Sequence, residues 1–163
     1  NMAVPERYNS KYNLGVGGAV VHEGKLLMVK RASRRGRGNW QIPGGFVEFD
    51  ETIETAVTRE VQEEAGIESK VRAVLGIRNR YDTNSDNSTY VVFLLDYVSG
   101  EPKADATETS EARFFTLEEI KALDQVPAIN LRVAEQALNQ NPDTLKPEQV
   151  TGPNGNLYTL FIG

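Results

Sequence analysis

The sequence contains no cysteine and only one histidine, His22, among its 163 residues. Disulfide bonds, thiolate metal sites and cysteine nucleophiles are therefore excluded, and so is a histidine-rich metal site. Any metal ion must be bound mainly by oxygen atoms, which favours magnesium, manganese or calcium over zinc or copper. The lack of cysteine also makes the reducing cytoplasm the expected compartment.

Long apolar runs and positive net charge are missing as well. The apolar run at residues 91–95 is far too short to span a bilayer, so no membrane association is predicted. The formal net charge of -5 argues against broad attraction to nucleic acid. The N-terminal residues do not resemble a signal peptide, in agreement with a cytoplasmic location. The length and the ordinary globular composition predict one domain, residues 1–163.

The hydrophobic pattern predicts a mixed α/β fold in which hairpins form a sheet and two or three helices cover it. Apolar and β-branched runs predict strands at residues 14–21, 25–30, 71–80, 90–98 and 112–115. The run at residues 90–98 is continuously apolar, which indicates a central strand.

Two helices and a final hairpin are predicted towards the C-terminus. Thr116 and Glu119 form a capping box that opens a helix reaching about Leu123. A further helix is predicted at residues 131–138. A turn at residues 152–156 predicts a closing hairpin within the C-terminal extension, residues 141–163.

The helix predicted after the Pro43-Gly44-Gly45 turn carries carboxylates on its apolar face. At about 100° per residue, Glu60 and Glu64 fall within the arc of apolar residues, and Glu63 lies at its edge. A helix end that merely faced solvent would carry its charges on the opposite side. Clustered carboxylates of this kind predict a pocket for a hard divalent cation. The apolar residues of the arc are Ile53, Ala56, Val57, Val61 and Ala65, and Gly66 ends the pattern.

The spacing of polar residues around this helix matches a known signature. In order, residues 45–67 contain Gly45, Glu51, Arg59-Glu60-Val61, Glu63-Glu64 and Gly66-Ile67. These residues occupy every fixed position of the Nudix box, and the chain therefore resembles the Nudix hydrolases. The resemblance covers about residues 14–138, which leaves the C-terminal hairpin outside it.

The resemblance implies an α/β/α sandwich with a mixed sheet and a metal-dependent hydrolase. Such an enzyme uses Mg2+ or Mn2+ to cleave a phosphoanhydride bond in a nucleoside diphosphate linked to another group. The expected partner is thus a nucleotide-like small molecule: a nucleotide sugar, ADP-ribose or a nucleoside triphosphate. Residues 126–130 faintly resemble the MutT segment that supplies a base-reading asparagine, which does not settle the substrate. The alternative is a Nudix-like module that senses a nucleotide without significant hydrolysis.

The resemblance also implies roles for individual residues. Glu60, Glu63 and Glu64 are the implied metal ligands, and Glu51 and Arg59 are expected to orient them. The general base stays open between a glutamate of the box and one from a later loop. The loop glutamates are Glu108, whose spacing is similar to that of MutT-like members, and Glu111. The implied catalytic set is Glu51, Arg59, Glu63, Glu64 and Glu108.

Several further residues are predicted to bind substrate. Gly45 lets the chain turn closely into the site. Trp40 and Tyr81 are able to stack on a base, although strand aromatics more often belong to the core. The arginine-rich loop at residues 31–38 is suited to phosphate, and its arginines are Arg31, Arg34, Arg35 and Arg37.

The C-terminal hairpin is predicted to serve assembly or substrate shaping. Leu157, Leu160 and Ile162 are apolar, and an isolated hairpin is only marginally stable in water. It must therefore pack on the sheet of its own domain or on a second copy of the chain. We expect a homodimer.

Overall fold

A computed structural model of the chain describes residues 12–33, 36–82 and 86–163. Every strand and helix predicted from the sequence is present. In chain order the elements are β1 (Tyr12–His22), β2 (Lys25–Arg31), β3 (Trp40–Gln41), β4 (Gly44–Phe46), α1 (Ile53–Ala65), β5 (Glu68–Asp82), β6 (Asp86–Ser99), β7 (Thr109–Phe115), α2 (Leu117–Ala122), α3 (Ala128–Ala137), β8 (Lys146–Thr151) and β9 (Leu157–Ile162).

Strands β5 and β6 are longer than predicted because their polar ends also pair. The ladder extends from Glu68 opposite Ser99 to Asp82 opposite Asp86. In its polar part the Asn79 side-chain amide donates to Asn87 Oδ1 at 3.1 Å. Hydrophobic patterning detects only the apolar middle of such a hairpin.

The helix ends follow their local signals. The predicted capping box opens α2, since Thr116 Oγ1 accepts from the Glu119 amide and Glu119 Oε1 accepts from the Thr116 amide. Helix α3 begins at Ala128, earlier than predicted, directly after Pro127.

The main sheet is mixed, with the order β3-β2-β1-β6-β5. Strand β1 runs parallel to β6 from Tyr12 to Val21, and the remaining pairs are antiparallel. The hairpin of β1 and β2 pairs only next to its turn. Beyond the turn the two strands separate, so β1 accepts β4 as a partner and β2 accepts β7. This separation brings the glycine strand β4 next to the middle of the sheet.

Side chains on the two faces of the sheet form two hydrophobic clusters. Strand β6 contributes Val91, Phe93 and Leu95 to the cluster beneath α1, and Val92 and Leu94 to the cluster beneath α2 and α3. Burial on both faces explains the continuous apolar run of β6 and confirms its interior position. Helices cover both faces of a mixed sheet, so the fold is the expected α/β/α arrangement.

The C-terminal hairpin, β8 and β9, attaches to the edge of β5. Leu145 and Val74 exchange two backbone hydrogen bonds, of 2.8 and 2.9 Å. The ring of Phe161 packs edge-on against Phe93, with centroids 5.6 Å apart. In the part of the chain that is described, no helix is long and apolar enough to cross a membrane.

Candidate active site

Helix α1 is fixed at both ends and along one face. Thr52 Oγ1 accepts a hydrogen bond from the Thr55 amide at 3.1 Å, and Gly66 ends the helix in the left-handed conformation with φ 69°. The face is set by four residues buried in the core, which are Ala56, Val57, Val61 and Ala65. The rotation of α1, and with it the direction of its glutamates, is therefore determined by packing.

Glu60, Glu63 and Glu64 of α1 differ in burial as their helical angles predict. Glu64 is only 4% exposed, and its Oε1 accepts the amide N–H of Gly44 at 2.8 Å. The Glu60 carboxylate packs against Gly45, where a Cβ atom would lie 2.5 Å from its Cδ. The Glu63 side chain is 53% exposed. Glu60 and Glu64 thus adjoin the glycine strand, whereas Glu63 lies at the rim.

Arg59 connects this cluster to Glu51. Its Nε and Nη2 donate to the two carboxylate oxygens of Glu51 at 2.9 and 2.6 Å. Its Nη1 donates to Glu60 at 2.9 Å and to Glu63 at 3.2 Å. A bidentate guanidinium–carboxylate pair is strongly directional. Arg59 therefore joins Glu51, Glu60 and Glu63 in one hydrogen-bonded group.

Burial makes two of these carboxylates hard to ionise. Desolvation raises the pKa of Glu64 from 4.5 to about 8, and repulsion from Glu60 and Glu108 acts in the same direction. Desolvation also raises the pKa of Glu60, although Arg59 opposes this shift. Ionisation of both carboxylates would therefore place negative charge in a buried site, where it needs compensation by positive charge.

The loop before β7 is held in one conformation by Asp105. Its Oδ1 accepts the backbone N–H groups of Thr107 and Glu108 at 2.8 Å and of Thr109 at 3.0 Å. Thr109 Oγ1 in turn donates to the carbonyl oxygen of Glu64 at 3.0 Å. These bonds attach the loop to the C-terminal end of α1.

The two loop glutamates face different surroundings. The carboxylate of Glu108 contributes to the raised pKa of both Glu60 and Glu64, so it lies within their electrostatic field. Glu111 instead forms an ion pair with Lys30 at 3.6 Å. Glu108 thus interacts electrostatically with Glu60 and Glu64, whereas Glu111 is paired with Lys30.

The donors of the cluster suit a hard cation in chemistry, although their present arrangement is not a ready-made metal site. Among residues 12–33, 36–82 and 86–163, no group of three acidic or histidine side chains is placed to hold a metal ion. Glu60 and Glu63 each bond to Arg59 through one carboxylate oxygen, Oε1 of Glu60 and Oε2 of Glu63. Buried carboxylate oxygens that lack sufficient positive charge fit a divalent cation such as Mg2+.

A polar cavity of about 510 Å3 opens beside the carboxylates. One side is formed by Gly44 and Gly45, whose backbone contacts Glu64 and Glu60. The lining also includes three arginines, a serine, a tyrosine and an asparagine, namely Arg31, Arg78, Arg80, Ser88, Tyr90 and Asn130. The cavity thus combines arginines with the two glycines that contact the carboxylates.

Local contacts hold several of these cavity side chains in place. Arg78 Nη2 donates to Ser88 Oγ at 2.8 Å, and its guanidinium lies 5.1 Å from the centre of the Tyr90 ring. Asn130 is buried, and its Oδ1 accepts the amide N–H of Ile42 at 2.9 Å. The cavity wall is thus preorganised.

The residues predicted to bind substrate are only partly brought together. Arg31 and Gly45 line the polar cavity. Trp40 is buried in the core, where its ring packs edge-on against Phe115. Tyr81 is 67% exposed. Neither of these aromatic residues belongs to the described lining of the cavity, nor does Arg37. Arg34 and Arg35 lie outside the described residues.

Four cavity residues escaped sequence reasoning: Arg78, Arg80, Ser88 and Tyr90. Arg78 and Arg80 are two residues apart in β5, and Ser88 and Tyr90 are two residues apart in β6, so all four side chains face the same side of the sheet. The register places Arg78 opposite Tyr90 and Arg80 opposite Ser88. The sequence signal that could have identified these residues is the alternation of polar residues at the end of an apolar strand. An exposed sheet face produces the same pattern, and only the neighbouring α3 shows that this face lines a cavity.

Comparisons with known proteins agree with this geometry. The family model described as NUDIX domain matches residues 11–136. An ADP-ribose pyrophosphatase of Methanocaldococcus jannaschii is 36% identical over 127 residues, which cover 74% of this chain and 75% of that protein. A MutT-like protein of Streptomyces ambofaciens is 34% identical over 134 residues, covering 80% of this chain and 82% of the relative.

A solved structure shows the same fold. The crystal structure of a MutT NUDIX hydrolase from Burkholderia pseudomallei superposes with a TM-score of 0.68 at 30% identity. The match covers 78% of this chain and 98% of that one. With its complete box folded as a capped helix beside a glycine strand, the chain belongs to the Nudix family of hydrolases.

Proposed function

We propose that this Nudix hydrolase requires Mg2+ or Mn2+ and cleaves the phosphoanhydride bond of a nucleoside diphosphate linked to another group. The observation that carries the proposal is the buried Glu64, which adjoins Gly44 at the edge of an arginine-lined cavity. ADP-ribose is the first substrate to test, because the Methanocaldococcus jannaschii relative is named an ADP-ribose pyrophosphatase.

Each end of the site has a distinct task in this reaction. Arg31, Arg78 and Arg80 bind the diphosphate, because forked guanidinium groups suit phosphate oxygens. Glu60, Glu63 and Glu64 hold the cation. When bound, a divalent cation neutralises the diphosphate and polarises the attacked phosphorus.

The proton of the attacking water needs an acceptor. Glu60 and Glu63 each accept a hydrogen bond from Arg59, so one oxygen of each carboxylate is already engaged. Glu108 is exposed to solvent, and its charge repels those of Glu60 and Glu64. We therefore assign Glu108 as the general base and Glu51 with Arg59 as the groups that orient α1's carboxylates.

Hydrolysis of a nucleotide panel with and without Mg2+ tests the proposal. With ADP-ribose we expect one equivalent each of AMP and ribose 5-phosphate per water consumed, and no products in excess chelator. The panel also contains nucleotide sugars and nucleoside triphosphates. Full turnover in chelator would refute the metal requirement. Binding of ADP-ribose without hydrolysis of any panel member in Mg2+ or Mn2+ would refute the enzyme and favour a nucleotide-sensing module.

A further inference from the structure

A second cavity, also of about 510 Å3, lies beyond Arg78. Strand β5 forms one wall and helix α3 the other, and Asp143 lines it from the segment before β8. Arg78 and Ile129 line both this cavity and the polar cavity, so the two are neighbours that share a ridge. A molecule bound beside Glu64 is thus able to extend over the ridge.

This second space, the apolar cavity, has aliphatic side chains on both walls. Its walls include Leu75, Val92 and Val133, and Ile129 adds a further aliphatic side chain at the ridge. Polar groups are supplied by Arg132, Gln136 and Asp143. The cleft therefore continues from the polar cavity into a space between β5 and α3 that combines aliphatic walls with a few polar groups.

Gly76 gives the apolar cavity a flat wall. It lies inside β5 opposite Val92, next to the irregularity between Val74 and Gly76. A Cβ atom at this position would meet no heavy atom within 4 Å. Packing therefore does not require a glycine here. Glycine within a strand weakens it and is typical of bulges and of places where a ligand approaches the backbone closely.

We propose that the apolar cavity binds the nucleobase of the substrate whose diphosphate is cleaved beside Glu64. This inference rests on the proposed function and names the part of the substrate that each cavity takes. A planar ring fits between the backbone of Gly76 and the aliphatic side chains of α3, which removes both of its faces from water. The ribose and the diphosphate then lie in the polar cavity.

The size and the polar groups agree with this occupant. A volume of about 510 Å3 lies within the range of small-molecule sites and holds one nucleoside. Arg132 and Gln136 offer hydrogen-bond donors to the ring edge, and Asp143 and Gln136 offer acceptors. Arg78 at the ridge lies between the base in the apolar cavity and the diphosphate that it binds in the polar cavity.

Filling the apolar cavity at Gly76 tests the base site. AMP and ribose 5-phosphate both carry a sugar phosphate, and only AMP carries a base. We expect Gly76→Phe to weaken AMP binding by at least about ten-fold and to leave ribose 5-phosphate within about two-fold of the wild-type affinity. Val98→Phe adds the same ring at an exposed position of β6 that lines neither cavity, and serves as the matched control.

Two further measurements keep the test decisive. If Gly76→Phe does not fold, Val133→Trp fills the cavity from the helix side. In the wild type, nuclear Overhauser contacts are expected between adenine protons and the methyl groups of Leu75 and Val133. Unchanged AMP affinity in a folded filling variant, or adenine contacts to Ile42 in the polar cavity instead, would overturn the base site.

Failure of the base site is distinguishable from failure of the proposed function. Hydrolysis of ADP-ribose with the same KM in Gly76→Phe and wild type would refute the base site alone. Adenine contacts in the apolar cavity without hydrolysis of any phosphoanhydride would refute the enzyme and leave the base site intact.

Discussion

Glu64 lies on the buried face of α1, at a position where an aliphatic side chain would be expected. Its neighbours along the same face are Val57, Val61 and Ala65, all fully buried. Gly44 supplies a single hydrogen bond, which does not offset the cost of burying a charge. The pKa of Glu64 is raised to about 8 because desolvation outweighs this hydrogen bond. A residue that opposes folding in this way is explained by a role in binding or chemistry.

Glu64→Gln is expected to reduce turnover by about 100-fold or more while the fold is retained. The amide keeps the shape and the acceptor for the Gly44 N–H, so only the charge is lost. Steady-state hydrolysis of ADP-ribose with Mg2+ measures the rate, and circular dichroism checks the fold. Glu118→Gln, an exposed glutamate of α2, is the matched control. A near-normal rate in Glu64→Gln would show that the site has been misplaced.

Glu51 makes the fold sensitive to acid. The Arg59 hydrogen bonds, followed by the Glu48 amide, lower the pKa of Glu51 from 4.5 to about 2. A carboxylate with a lowered folded-state pKa stabilises the protein above its unfolded pKa, and this contribution is lost as the pH falls from about 4.5 to about 2.

The free energy of unfolding should therefore fall more steeply in wild type than in Glu51→Gln over that pH window. Urea melts at several pH values between about 5 and 2 measure both slopes. Glu135→Gln, an exposed glutamate of α3, controls for the loss of one carboxylate. Parallel slopes in wild type and Glu51→Gln would contradict the assigned ion pair.

At the scale of elements, the site depends on two attachments to α1. The first is β4, where side chains are excluded: a Cβ at Gly44 would lie 2.2 Å from the Val16 carbonyl oxygen, and one at Gly45 would meet Glu60. The second is the loop at residues 105–109, which Thr109 ties to Glu64. Together they bring a strand and a loop against one face of a single helix.

Asp105→Ala should lower kcat by about ten-fold with little change in KM, because Glu108 loses the backbone hydrogen bonds that place it. Asp105→Asn retains the Oδ1 acceptor and should recover most of the activity. Kinetics on ADP-ribose for both variants provide the test. Equal losses in Asp105→Ala and Asp105→Asn would assign the effect to charge instead of loop geometry.

For the molecule as a whole, the C-terminal hairpin has two unlike faces. Phe161 packs into the cluster beneath α1, so the hairpin packs on the sheet of its own chain. This is one of the two alternatives that the sequence left open. The other face exposes Tyr158, Leu160 and Ile162, by 53%, 42% and 48%. One face thus stabilises the fold, and the other is available for assembly.

Phe161→Ala is expected to lower the free energy of unfolding by about 1–3 kcal/mol, since a partly buried ring is removed from the core edge. Leu160→Ala, on the exposed face of the same strand, should cost less than about 1 kcal/mol. Urea melts of the two variants measure the difference. Equal losses would mean that the hairpin does not pack through Phe161.

The homodimer expected from the sequence remains a prediction. Lys146 lies opposite Ile162, and Glu148 lies opposite Leu160, so the exposed face carries both charges beside its apolar residues. Two hairpins related by a two-fold axis are able to pair these charges across the interface. We expect the wild type to sediment as a dimer and Leu160→Glu as a monomer. A wild-type monomer at all concentrations would refute the dimer.

The sequence by itself determined the parts of this protein that depend on near neighbours along the chain. The end of α1 at Gly66, the capping box of α2, the apolar arc and the direction of Glu60 and Glu64 all follow from local spacing. The Nudix box is read in the same way, because its residues occupy one turn and one helix. Local geometry repeats with a fixed period, so spacing is enough to predict it.

Only the tertiary structure decided how distant segments meet. It buried Trp40, left Tyr81 exposed and brought Arg78, Arg80 and Asn130 to the polar cavity. These outcomes depend on the register of β5 with β6 and on the position of α3 over the sheet. Contacts between residues far apart in the chain are selected by packing of the whole core, and no spacing within a single segment encodes them.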